Sequence, residues 1–252
     1  MLKKYLLLVV LLIFGISSAW AEVSIQNDQH YIGSDGSLHI VGEIHNQLDV
    51  PLNQIDVYVT LYSKNEIVDT VRTSSLVNMI MPGMQGPFDL VITGQKAQMI
   101  DDYSVYVDYK VSLPKSQVID IISSDISRDK FDNLMITGTV ANNGEITANA
   151  ISIIATLYDR EGNVAAVSKS LARPDYLRSN DEVFFLVSVT DKQQTISIVD
   201  YTLVAESEEY AAAPEFPLGT LLLLGGSVSA YVILIRYSAR TVPNLISAVN
   251  SS

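Results

Sequence analysis

The chain has 252 residues, 28 of them acidic against 16 basic, for a formal net charge of −12, and it contains no cysteine. That acidity disfavours nucleic acid and anionic headgroups as partners. The missing thiols exclude disulfide stapling, thiolate catalysis, thiolate metal centres and cysteine lipidation. In chain order, residues 1–21 read as a signal peptide. Lys3 and Lys4 form a positive start, an apolar run follows, and Ala19-Trp20-Ala21 supplies a small-residue cleavage site. At the far end, residues 218–235 are an apolar run without a charge, which as a helix is just long enough to cross a ~30 Å hydrocarbon core. Arg236 and Arg240 follow it, so the positive-inside rule places residues 236–252 in the cytoplasm and everything before the run outside. Lys3, Lys4, Arg236 and Arg240 are the basic residues outside the exterior segment. That segment therefore carries 12 basic against 28 acidic charges, a net of −16.

Between these ends the chain repeats itself. Gly42-Glu43-Ile44-His45-Asn46 matches Gly138-Thr139-Val140-Ala141-Asn142 at an offset of 96, and the same offset superposes Leu61 and Tyr62 on Leu157 and Tyr158. It also sets Phe88 and Leu90 on Phe184 and Leu186. Val107-Asp108-Tyr109 matches Val199-Asp200-Tyr201 at an offset of 92, which implies a four-residue deletion in the second copy. The copies span residues 22–112 and 117–205, each able to fold with a modest core. Residues 113–116, Leu-Pro-Lys-Ser, join them, and a link this short with a proline predicts a restrained orientation.

Within each copy the apolar period is two. Ile55, Val57, Val59 and Leu61 alternate with Asp56, Tyr58, Thr60 and Tyr62, and Ile151, Ile153, Ala155 and Leu157 alternate likewise. Leu61 and Leu157 are therefore expected in the core, with Tyr62 and Tyr158 on the opposite face. Turn signals at Ser34-Asp35-Gly36, Met81-Pro82-Gly83, Asn142-Asn143-Gly144 and Glu161-Gly162-Asn163 separate the runs. The prediction is all-β: two tandem antiparallel β-sandwich domains plus one C-terminal transmembrane helix.

The G-x-[IV]-x-N segment and the later T-L-Y resemble the FxLYD family, immunoglobulin-like β-sandwich modules of prokaryotic envelope proteins. The second copy matches better, with Ala155-Thr156-Leu157-Tyr158-Asp159. The first reads Val59-Thr60-Leu61-Tyr62-Ser63, and neither has the opening phenylalanine. The resemblance implies an immunoglobulin-like fold and carries no catalytic residues. Residues 206–217 read as a stalk ending in Pro214, Glu215, Phe216 and Pro217. Followed by the apolar run and arginines, this motif resembles the PEF-type sorting signals of archaeal surface proteins. That resemblance implies an archaeal source and a membrane transpeptidase acting near the motif; residues 241–252 extend past the usual end of such signals.

No catalytic constellation is legible. The histidines His30, His39 and His45 fall in the first copy alone, spaced too far along an extended chain to converge on a metal. Asp125, Asp129, Asp132 and Asn133 do not follow the calcium-loop spacing D-x-[DN]-x-[DN]-G, so a solvated loop is expected. The serine-hydrolase elbow and the nucleotide-binding glycine loops are absent from the sequence. The expected function is a single-pass surface protein of the plasma membrane, neither an enzyme nor a cofactor carrier, presenting two sandwiches to another envelope protein or a glycan. The alternative is an envelope enzyme or divalent-metal carrier.

Overall fold

The computed structural model describes residues 22–189 and 191–215, without the side chains of 192 and 193. The signal-peptide segment, Phe216, Pro217, the apolar run, Arg236 and Arg240 lie outside the described residues. Among the described residues no helix is long and apolar enough to cross a membrane. Helical structure there amounts to a 3-10 turn at Gly94–Gln98 and one turn at Lys192–Thr195.

The first half contains β1 (Val23–Ile32), β2 (Leu38–Asn46), β3 (Leu52–Ser63), β4 (Glu66–Ser74), β5 (Met79–Ile80), β6 (Gln85–Ile92) and β7 (Asp102–Val111). They form two antiparallel sheets: β1-β2-β6, and β3 with β4 and β5 along one edge and β7 along the other. The second half contains β8 (Ile119–Arg128), β9 (Leu134–Asn142), β10 (Ala148–Asn149), β11 (Ser152–Tyr158), β12 (Val164–Leu171), β13 (Tyr176–Leu177), β14 (Glu182–Val189), β15 (Asp200–Glu206) and β16 (Ala213–Pro214). Its sheets are β8-β9-β14 and β12-β11-β15-β16, with β10 and β13 paired separately. The second half thus repeats the strand pairings of the first, and each pair of sheets encloses a core. Leu61 and Leu157 are fully buried in equivalent places, against Tyr103 and Tyr201 across the strand pair.

The two motif ends acquire physical reasons. Gly42 pairs with Phe88 and Gly138 with Phe185. A Cβ on Gly42 would lie 2.8 Å from the Asp28 Cβ and 2.9 Å from the Phe88 ring, and one on Gly138 would strike the Ser123 carbonyl oxygen as well as the Phe185 ring at 2.7 Å, so glycine makes room for both the neighbouring strand and the aromatic. Asn46 and Asn142 are wholly buried plugs. Each amide donates to two carbonyls, Val50 and Ile80 in the first copy and Ile146 and Leu177 in the second, at 2.8–2.9 Å. Each side-chain oxygen accepts a backbone N–H, from Leu48 or Gly144. A primary amide, with two donors and an acceptor, can serve all three backbone groups at once.

The strand pairing corrects the repeat register. Phe88 corresponds to Phe185, which is buried, and not to Phe184, which is 59 % exposed; Leu90 corresponds to Val187, not Leu186. The aspartate–tyrosine match is displaced further, by six residues. Tyr103 faces Leu61 as Tyr201 faces Leu157, so Asp102-Tyr103 is the counterpart of Asp200-Tyr201 at an offset of 98. The four-residue deletion does not exist. Instead the second copy gains one residue in the hairpin after its T-L-Y and one before the Asp-Tyr strand. The first hairpin turns through Lys64 and Asn65, both at positive φ, as a two-residue turn requires. The second uses a longer loop in which Asp159 accepts the N–H groups of Glu161 and Asn163. Ser63 for the expected aspartate accompanies the shorter turn.

The expected stalk is the other departure. Up to Glu215 the chain stays on the second sandwich: Ala211, Ala212 and Ala213 are buried, and β16 pairs with Val204 and Ala205 of β15. Three small apolar residues before a proline suit a covered edge strand better than a solvated tether.

Candidate functional site: the joint between the sandwiches

Several polar side chains, two of them buried carboxylates, converge at the face where the two sandwiches meet. Two strands, one from each half, prepare it. On β2, Leu38, Ile40 and Ile44 point into the first core, yet Val41 and Glu43 on the opposite face are also buried. On β11 the core side is Ile153, Ala155 and Leu157, while Ser152, Ile154 and Thr156 are buried on the other side. Ile154, Ala212, Val167 and Val204 of the second half pack against the core cluster of the first. The outer faces of β1-β2-β6 and β12-β11-β15 therefore cover each other. A strand buried on both faces loses its alternation, and Ile153-Ile154-Ala155 is where that signal stands in the sequence.

Two carboxylates close the joint. Glu206, 1 % exposed, accepts the N–H of Asn78 at 2.8 Å and the Lys169 ammonium at 3.1 Å. Lys169 also donates to the Leu76 carbonyl at 2.7 Å, so this pair stitches each sandwich to the other. Burial pushes the Glu206 carboxyl up, and the Asn78 N–H and Lys169 hold it down only in part. At the other end the Tyr158 hydroxyl donates to Glu43 at 2.6 Å, Asn27 donates to the same carboxylate at 3.2 Å, and burial with the Glu43 charge raises the Tyr158 phenol. Gln29 donates to the Val164 carbonyl at 2.6 Å. Tyr62, the counterpart of Tyr158, meets only Ser104 in its own sandwich, at 3.2 Å.

Beside the joint lies a cleft of about 260 Å³ whose walls include Glu43, Met84, Pro87, Ile154, Thr156 and Glu215. It falls below the usual small-molecule range of roughly 300–1,000 Å³. Of the sorting-like motif, Pro214 is in β16 and Glu215 is held twice: its N–H donates to Leu203 at 2.9 Å and its carboxylate accepts the Ser124 hydroxyl at 2.7 Å. The interdomain residues 113–116 are tied to the same segment, with Lys115 donating to the Glu208 carbonyl and Ala211 to that of Ser116.

The remaining candidates serve local structure. His39 bonds Asp89 and Ser37 and stacks on Tyr31 at 4.8 Å; its hydrogen bond to Asp89 raises the imidazole. His30 meets the edge of Tyr103, and His45 contacts Gln47. Asp129 accepts the N–H groups of Phe131 and Asn133, closing a turn, and Asp132 adopts the positive φ that such a turn needs. Among the described residues no group of three or more histidine, aspartate or glutamate side chains is arranged to hold a metal ion.

Sequence reasoning singled out Tyr158 as a motif residue but missed Glu43, Lys169 and Glu206. The available signal was a glutamate set between Gly42 and Ile44 in the strand Leu38–Asn46.

No protein-family model matches the sequence, and no curated protein matches it. Among solved structures, the exo-chitosanase CsxA of Amycolatopsis orientalis aligns at 10% identity and TM-score 0.28 over 77% of this chain and 26% of its own. Red sea bream transglutaminase aligns at 8% and 0.25 over 77% and 30%, and a Bacteroides uniformis β-glucuronidase 2 mutant at 11% and 0.27 over 76% and 27%. The chain thus spans under a third of the length of each of these three structures. What it shares with them is distant, and it is an all-β protein of paired antiparallel sheets.

Proposed function

We propose that this is a membrane-anchored surface protein whose two immunoglobulin-like sandwiches, of FxLYD type, act as one rigid interaction or structural module outside the cell. The joint carries this reading. Glu43, Tyr158, Lys169 and Glu206 are engaged in locking one sandwich to the other. What is left to meet a partner is open sheet face and strand edge, where such modules bind by face contact or strand addition. The acidic exterior, the signal-like start and the charge-free run before Arg236 and Arg240 support the location. The partner class is another envelope protein or a glycan.

Protease treatment of intact cells tests it. Residues 22–215 should be accessible from outside while the chain stays with carbonate-washed membranes. Recovery in the soluble cytosolic fraction would refute the proposal.

The PEF-type motif adds a processing question to the same reading. Pro214 and Glu215 are docked on β15 and Ser124, so processing at the motif requires this contact to open or cleavage to fall beyond it. Mass spectrometry of the mature protein decides: recovery of peptides from 241–252 leaves a plain anchor, and their loss together with resistance of a Phe216→Ala variant supports processing.

A further inference from the structure

The internal joint uses one face from each sandwich, and the duplication leaves the counterpart of each face open. The first sandwich docks with the outer face of β1-β2-β6; the equivalent face of the second is β8-β9-β14. There Thr137 and Thr139 stand for Val41 and Glu43, and Phe184 and Leu186 stand for Pro87 and Asp89. In the first sandwich Pro87 is buried under its partner, whereas Phe184 is 59 % and Leu186 41 % exposed. Two large apolar side chains displayed side by side on a chain of net charge −12 are out of keeping with a surface selected for solubility alone.

The second sandwich docks with the outer face of β12-β11-β15; the equivalent face of the first is β4-β3-β7. The strand register puts Arg72 at the place of Lys169, Asp108 at that of Glu206, and Tyr62 at that of Tyr158. Tyr58 and Tyr106 replace Ile154 and Val204, and Tyr106 is 64 % exposed. The chemical order of the internal docking face is therefore retained: a cation, an acid two strands away and a tyrosine hydroxyl at the far end, around a central pair of large side chains.

We propose that the occupant of both faces is a second copy of this chain. The β8-β9-β14 face of one molecule packs on the β4-β3-β7 face of the next, repeating the internal joint between molecules. Tyr62 then meets Thr139 as Tyr158 meets Glu43, and the Phe184–Leu186 patch covers Tyr58 and Tyr106. Asp125, where Gln29 stands in the first copy, comes opposite the hairpin carrying Lys64 and exchanges a hydrogen bond for an ion pair. The two faces differ, so the contact is heterologous and propagates into chains instead of closing as a twofold dimer. The acidity of the molecule opposes the contact at low salt, and screening favours it. The inference rests on the two open faces alone and holds wherever the protein resides.

The full chain in detergent micelles, followed by sedimentation velocity, tests it. The native protein should form a concentration-dependent ladder of species that lengthens with added salt. Phe184→Glu and Tyr106→Glu should each reduce it to single chains with unchanged circular dichroism. Mixed in equal amounts, these two variants should give a complex of two chains and nothing longer, because each retains the face the other lacks. A native protein that stays single at every salt concentration overturns the proposal. So does a mixture that remains single, or a variant that still dimerises with itself. Should either glutamate disturb folding, Leu186→Arg and Ser104→Arg place the same obstruction on the two faces.

Discussion

The two sandwiches share strand order, buried asparagine and core leucine, yet they present their faces differently. In the first, β3 alternates strictly, with Asp56, Tyr58, Thr60 and Tyr62 half-buried on the outside. In the second, the matching strand β11 is buried on both sides from Ser152 to Leu157. The reverse holds for the other sheet, where β2 of the first copy is covered and Thr137 and Thr139 of the second are only partly so. Core positions were kept by the requirement to fill each sandwich. Outward positions diverged according to what lay over them. Duplication supplies the scaffold twice, and substitutions on the outer faces decide which copy docks on which.

The largest expected break in this equivalence is at the adjacent phenylalanines. Phe185→Ala should lower stability by about 4 kcal/mol as a large core ring is lost, while Phe184→Ala should change it by under ~0.5 kcal/mol. Denaturant unfolding of both variants checks the corrected register, and the opposite ranking would restore the uniform offset of 96.

The asparagine plugs come next. Asn46→Ala and Asn142→Ala each leave three backbone groups without their side-chain partner, at least one of them buried, for an expected loss of about 3 kcal/mol apiece. Near-equal losses by calorimetry would show the plugs to be equivalent; a loss below ~1 kcal/mol at one would show that copy to have an alternative. Leu61→Ala and Leu157→Ala should cost about as much, ~2–5 kcal/mol. Because Ile154 and Ala212 join the first core, the effect of Leu61→Ala should reach the second sandwich.

The two cations separate more sharply. Lys169→Met leaves Glu206 buried beside one N–H and should cost about 2 kcal/mol, whereas Arg72→Met, at an exposed pair with Asp56, should cost under ~0.5 kcal/mol. Equal effects in a thermal melt would remove the distinction between joint and open face.

The smallest effect is on pH dependence. Glu206 and His39 both bind their protons more tightly in the folded chain than at their ordinary values of 4.5 and 6.5. For both, the stabilisation is complete below the ordinary value and is lost as pH rises through the higher folded value. Glu206→Gln should therefore flatten the decline above pH 4.5, and His39→Gln the decline above pH 6.5. Melting temperatures measured from pH 4 to 9 read both, and an unchanged slope in either window removes that residue from the account.

The sequence by itself determined the all-β class, the duplication and the places of Leu61, Leu157, Gly42 and Gly138. These depend on period-two alternation and on residues a few positions apart, which are local properties of a strand. It did not determine how the copies superpose beyond their first hairpin. One added residue in a loop leaves no mark on the strands around it, yet it shifts every later equivalence between the copies by one, which at a period of two assigns each side chain to the wrong face, and Phe184 and Phe185 could not be told apart until Gly138 was seen across from one of them. The joint was equally out of reach. Whether Glu43 and Glu206 lie in water or under a second sandwich depends on a surface more than a hundred residues away in the chain. Burial of a carboxylate is set by what covers it, and only the tertiary structure brings the cover.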